Sequence, residues 1–247
     1  MASDAPDRFL VSGPWYSKRL GSYLKVDPFF ENAVRVTPSC VFCSLSPESW
    51  VENSSVEVKP ADQLLNEIQE EFKSYARVDM PVEGLIVESF WEPTCSPDFL
   101  NLAQGLILFK KKFFPQAKLG VLSNGSQVFR QEIREAFEMF DLCWMRLDAG
   151  HSELHDIADF EPMVNVLRRM RNAVIRSVFV HGEADNTLPE TIDHWVETIG
   201  FIRPQEVHIA TVENESLDPR IKKVNAERLH EIQEICQSMT GVPTFFI

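Results

Sequence analysis

From Ala61 onward the sequence alternates between two hydrophobic periodicities, and this alternation most limits the folds open to it. Ala61–Ala76 carries Leu64, Leu65, Ile68 and Phe72 at helical spacing behind Pro60, which suits a helix start. Gly84–Phe90 is a short apolar run of the kind that makes a buried strand. Pro97–Phe113 reads as a helix whose terminal Lys110-Lys111-Lys112 suits the negative end of the helix dipole. The pattern then predicts strands at Leu119–Leu122, Asp141–Leu147, Ile175–Val180 and Val207–Val212. Between and after them it predicts helices at Gln127–Met139, Met163–Asn172, Pro189–Ile199 and Asn225–Met239, the last with Leu229, Ile232, Ile235 and Cys236 on one face. An earlier strand is expected near Leu24–Asp27. Strands alternating with helices on this scale make parallel βαβ units. No fixed repeat or low-complexity linker interrupts them, so residues 1–247 are expected to form one domain, with 1–12 as a flexible lead-in.

The charge excludes one class of partner. A net charge of −13 argues against nucleic acid, whose binding needs a basic footprint. The local basic runs, Lys110-Lys111-Lys112 and Arg168-Arg169-Met170-Arg171, fall in predicted helices and read as solvated faces. The five cysteines are odd in number and not spaced as a disulfide framework. The first residues lack the basic start and apolar core of a secretory signal, and no apolar run is long enough for a membrane span. The expectation is a cytoplasmic protein in a reducing compartment, without membrane partners.

Cys40-Val41-Phe42-Cys43 is the first motif with chemistry in it. By itself C-x-x-C reads also as half a zinc site, a redox pair or two unrelated cysteines. Its surroundings narrow the choice. Upstream stand Gly13-Pro14-Trp15-Tyr16-Ser17-Lys18-Arg19-Leu20-Gly21-Ser22 and Leu24-Lys25-Val26-Asp27-Pro28, and downstream Cys43-Ser44-Leu45. These segments resemble the G-P-x-x-S-R-R-L-G-x-S-L-x-V-D/N lead-in and Y-C-x-L of an uncharacterised branch of the radical SAM superfamily. Later landmarks follow in order, so the resemblance covers nearly the whole chain. It implies a partial (β/α)6 TIM-like barrel, and a C-x-x-x-C-x-x-C loop holding a [4Fe–4S] cluster that binds S-adenosylmethionine.

The resemblance also assigns residues. Cys40 and Cys43 match the second and third cluster ligands, and Val36 stands where the first cysteine belongs. Such clusters are held by thiolates, which valine cannot supply. Glu92-Pro93 matches the end of the family's G-x-G-E-P turn, but Phe90 and Trp91 replace glycines that let the backbone approach the methionine end of SAM. Two large rings there are expected to fill that space. Ser123-Asn124-Gly125-Ser126 is similar to T-N-G-S, and Leu147-Asp148-Ala149-Gly150 to S-L-D-A. The resemblance therefore puts Glu92, Ser123, Asn124 and Asp148 on the SAM side of the site. The same residues are also ordinary turn and cap chemistry.

Three further stretches carry candidate chemistry. His181-Gly182-Glu183-Ala184-Asp185-Asn186 resembles the family's G-x-N-D turn; it also mimics the acid turn of α/β-hydrolases, but no G-x-S-x-G elbow accompanies it. His151 and His155 sit one helical turn apart without an evident third metal ligand. Cys95 follows Pro93 closely enough to be weighed as a substitute cluster ligand. The two departures, at Val36 and at Phe90-Trp91, predict a pseudoenzyme: a radical-SAM-like scaffold without cluster or SAM that binds a protein partner or an active paralogue. The alternative is an active enzyme with altered ligation that generates a 5′-deoxyadenosyl radical on an unknown substrate.

Overall fold

The computed structural model describes residues 9–29, 59–78, 80–89, 91–149, 160–182, 185–212 and 221–247. An antiparallel hairpin opens the chain, β1 (Val11–Ser17) and β2 (Gly21–Val26). Helices and strands then alternate: α1 (Ala61–Ala76), β3 (Gly84–Val87), α2 (Phe99–Phe113), β4 (Lys118–Ser123), α3 (Gln131–Met139), β5 (Leu142–Arg146), α4 (Phe160–Leu167), β6 (Ala173–Gly182), α5 (Pro189–Ile202), β7 (Glu206–Thr211). A short β8 (Ile221–Lys223), α6 (Ala226–Thr240) and β9 (Thr244–Phe246) follow. The strand order is β1-β2-β3-β4-β5-β6-β7-β9, parallel from β2 to β9, with β8 antiparallel to the tip of β6. The sheet curls into a half-barrel, the partial TIM-like barrel that the sequence predicts.

One face of the curled sheet is covered by the helices, and the main core lies there. Leu24, Val26, Leu85, Val87, Leu119, Val121, Met145, Ile175 and Ile209 point from alternate strand positions into Phe72, Phe99, Leu102, Phe137, Trp195 and Leu229 of the helices. Burying such a side chain contributes about 1.5–3 kcal/mol relative to leaving it in water. The intervening strand positions form the concave face, which holds Tyr23, Lys25, Ile86, Leu122, Trp144, Arg146, Arg176 and His208.

Most boundaries match the sequence pattern, and the departures have local causes. Helix α1 spans the predicted residues and starts directly after Pro60. Helix α3 starts later than Gln127, because the Arg134 guanidinium donates to the carbonyls of Val128 and Phe129 at 3.0 and 2.6 Å and holds them in a turn. Strand β1 begins inside the segment expected as a lead-in: Leu10 and Val11 are buried, and Asp27 N–H donates to the Leu10 carbonyl at 2.8 Å. The hairpin also reaches across the open side of the half-barrel. Arg19, in its turn, pairs with Glu206 of β7 and stacks on the Phe245 ring of β9 at 3.7 Å.

Candidate functional site

The carboxyl ends of β3 to β6 meet at one rim, where barrel folds of this kind build their sites. After β3 the chain passes Glu88, Ser89, Trp91 and Glu92 into a 3-10 turn at Pro93–Cys95. The Glu92 carboxylate is the focus of the polar network. Oε1 accepts from Thr94 N–H at 3.2 Å, Thr94 Oγ1–H at 2.5 Å and Ser123 Oγ–H at 2.8 Å, and Oε2 accepts from Asn124 N–H at 2.7 Å. Three of these donors converge on Oε1 and one reaches Oε2. Part of the Glu92 residue reaches the surface, but the carboxylate itself is enclosed. Burial pushes its pKa above the usual range, against the lowering from the donors.

The turn after β4 is satisfied within itself. Ser123 Oγ accepts from Gly125 N–H at 3.0 Å, and Asn124 Oδ1 accepts from Ser126 N–H at 2.9 Å. This is the side-chain-to-backbone bonding that makes Asn and Ser good turn residues. Glu92 thus ties the turn after β3 to the turn after β4.

Asp148 does the equivalent work between β5 and β6. It is buried, with Oδ2 accepting from Arg146 Nε at 2.5 Å and Oδ1 from Val178 N–H at 2.7 Å. Its backbone carbonyl accepts from Asn186 Nδ2 at 2.8 Å. Asn186, wholly buried, also donates to the Val178 carbonyl and accepts from Val180 N–H, each at 2.8 Å. Beside it, His181 Nδ1 faces Asp185 Oδ2 at 3.0 Å and Thr187 Oγ1 at 2.9 Å, while Thr187 Oγ1–H donates to Asp185 Oδ1 at 2.7 Å. Burial would raise the Asp185 carboxyl, but the bonds from Thr187 and His181 outweigh it and hold the group below its ordinary range. The H-G-x-x-D-N segment is therefore a strand-end pin.

Trp91 and Cys95 share the rim. The Trp91 ring lies 6.3 Å from that of Phe29, and its side chain partly offsets the upward shift of the Cys95 thiol. Burial, with the neighbouring Glu92 charge, pushes this half-buried thiol up to about 11, so it is protonated at neutral pH. Val36, Cys40, Cys43, Phe90, His151 and His155 lie outside the described residues. Among the described residues, no three His, Cys, Asp or Glu side chains gather as a metal site, and no helix is long and apolar enough to cross a membrane. The structure therefore brings Glu92, Ser123 and Asn124 into one network and puts Asp148 in a second network on the neighbouring strands. Sequence reasoning missed the polar side chains of the concave face, Lys25, Arg146 and Arg176. Their signal was a charged residue at alternate positions of otherwise apolar strands.

The half-barrel superposes on known proteins. A radical SAM methyltransferase from Sphaerobacter thermophilus matches with a TM-score of 0.68 at 13% identity, over 92% of this chain and 66% of that one. The chain has the radical SAM fold. SuiB of Streptococcus suis, solved with S-adenosylmethionine bound, matches with a TM-score of 0.62 at 14% identity, over 90% of this chain and 50% of that one. HemN of Escherichia coli, described as a radical SAM enzyme, matches with a TM-score of 0.52 at 13% identity, over 72% and 45%.

In sequence, 26% identity over 236 residues links the chain to a UPF0026 protein of Helicobacter pylori, covering 94% of this chain and 72% of that protein. A protein named GTPase Obg from Brachyspira hyodysenteriae is 23% identical over 243 residues, and this chain spans 34% of its length. The G-x-x-x-x-G-K-[ST] motif does not occur in this sequence. No family model matches.

Proposed function

We propose that this protein keeps the radical SAM half-barrel but has lost the cluster and the SAM radical chemistry, and that it acts as a binding or accessory protein, with a protein partner or an active paralogue. The observation that carries this reading is the state of Glu92. The residue matched to the SAM amino group spends its carboxylate on four internal donors. Asp148, matched to the ribose side, spends both oxygens on Arg146 and Val178. Trp91, where the family has glycine, brings a ring to the same rim. On this count the SAM-side residues do not fit the cofactor, and Val36 offers iron no ligand.

A second reading, an enzyme with altered ligation, is favoured by one observation. Cys95 shares the rim with Trp91, which packs on Phe29, the last described residue before the segment carrying Cys40 and Cys43. The two readings separate on protein purified without oxygen. The first expects a colourless protein, negligible iron and a thermal midpoint indifferent to added SAM, since a ligand of the native state must raise stability by mass action. A brown protein with about four irons per chain, lost on Cys95→Ala, would overturn it.

A further inference from the structure

Basic side chains on the concave face form a row. Arg146 of β5 is the register partner of Arg176 on β6, Arg176 that of His208 on β7, and His208 that of Phe245 on β9. Register partners in a parallel ladder share a face, so three basic side chains stand side by side. Like charges on neighbouring strands repel. Two members have a local counter-charge: Arg146 pairs with Asp148, and His208 Nε2 lies 3.3 Å from Glu206 Oε1. Arg176, between them, makes no ion pair with any described residue. Its field is felt on both sides. Burial first lowers the pKa of His208, Glu206 opposes this, and Arg19 and Arg176 push it further down. Across the half-barrel, Arg176 also acts on the Tyr23 hydroxyl of β2, against burial and Glu88.

The chain has 37 acidic residues against 24 basic ones, so an arginine without a carboxylate here is no shortage of carboxylates. Closed barrels fill their interior with layers of side chains. Here Leu122, Trp144, Val178 and Ala210 on the concave face stay only half-buried. The Trp144 ring reaches over β4 at Gly120; a Cβ there would run into the ring and press on Ile86 Cδ1. The face therefore offers a cation with a rigid aromatic surface two residues from its arginine neighbour. Lys25 and Glu88, one of each sign, add no net charge to it.

We propose that the concave face binds a small organic oxyanion, a carboxylate or a phosphate ester, whose charge docks on Arg176 and whose apolar body lies against Trp144. The guanidinium is a planar fork that suits both anions, and a concave low-dielectric wall strengthens its field. This proposal rests on the binding-protein reading above and names the class of its ligand.

Calorimetric titration of the full chain with benzoate, phenyl phosphate and phenol tests it. One equivalent of at least one anion binds, the stronger of the two identifying the oxyanion, and phenol does not bind. Arg176→Gln weakens binding about tenfold or more, Arg176→Lys retains part of it, and Arg168→Gln, in the turn after α4 and over the Phe201 ring, leaves it unchanged. Absence of binding by both anions, equal binding of phenol, or binding indifferent to a folded Arg176→Gln overturns the site. Iron is measured on the same preparation. Iron-loaded protein that binds the anion overturns the binding-protein reading alone, and iron-free protein that does not bind overturns the anion site alone.

Discussion

At the residue scale, Glu92 carries the sharpest consequence. Glu92→Ala leaves the donors of Thr94, Ser123 and Asn124 without their acceptor in an enclosed place and should cost about 2–4 kcal/mol by denaturant unfolding. Glu92→Gln keeps one oxygen but turns an amide N–H toward Asn124 N–H, and should cost about 1–2 kcal/mol. The pH dependence follows from the raised carboxyl. The native state holds this proton to higher pH than the unfolded chain does. Its stabilising contribution is therefore full below the ordinary value of 4.5 and is lost as pH rises through the elevated native value. The margin of wild type over Glu92→Gln, measured by urea titration, should shrink as pH rises from 4.5; a margin growing with pH would contradict the burial argument. Sequence alone could match Glu92-Pro93 to a motif. It could not count the donors, because two of them come from Ser123 and Asn124, 31 and 32 residues away.

At the element scale, β4 shows how a strand position serves both faces. Leu119 and Val121 enter the helix-side core, while Gly120 leaves room for Trp144 on the other face. Gly120→Ala should force the ring to shift, costing about 1–3 kcal/mol and altering near-UV circular dichroism. Apart from β8, the helix and strand pattern from Ala61 to Thr240 was legible because each element buries one stripe or one face at its own period. Strand β1 was not, since Gly13 and Pro14 interrupt it and Trp15 and Tyr16 are exposed. Strands β8 and β9 are three residues each, too short for a period to show. The concave-face arginines sat unnoticed inside strands read as apolar, because strand alternation tells which residues share a face and not what that face encloses.

At the scale of the whole molecule, the Arg19 clasp joins the two ends of the sheet. Arg19→Ala removes a partly exposed ion pair and a cation–π contact, together about 1 kcal/mol, and should lower the thermal midpoint by about 2–4 °C, less at high salt. A midpoint unchanged at low salt would show that the ends hold without it. The partners of this clasp stand 187 residues apart in the chain. Contacts so distant raise contact order and slow folding, because loop closure must precede any gain. During synthesis the hairpin is made before its partners on β7 and β9. Until then the emerging sheet has an unclosed seam, so a nascent chain stalled before Thr244 should be more open to proteases than one that includes β9.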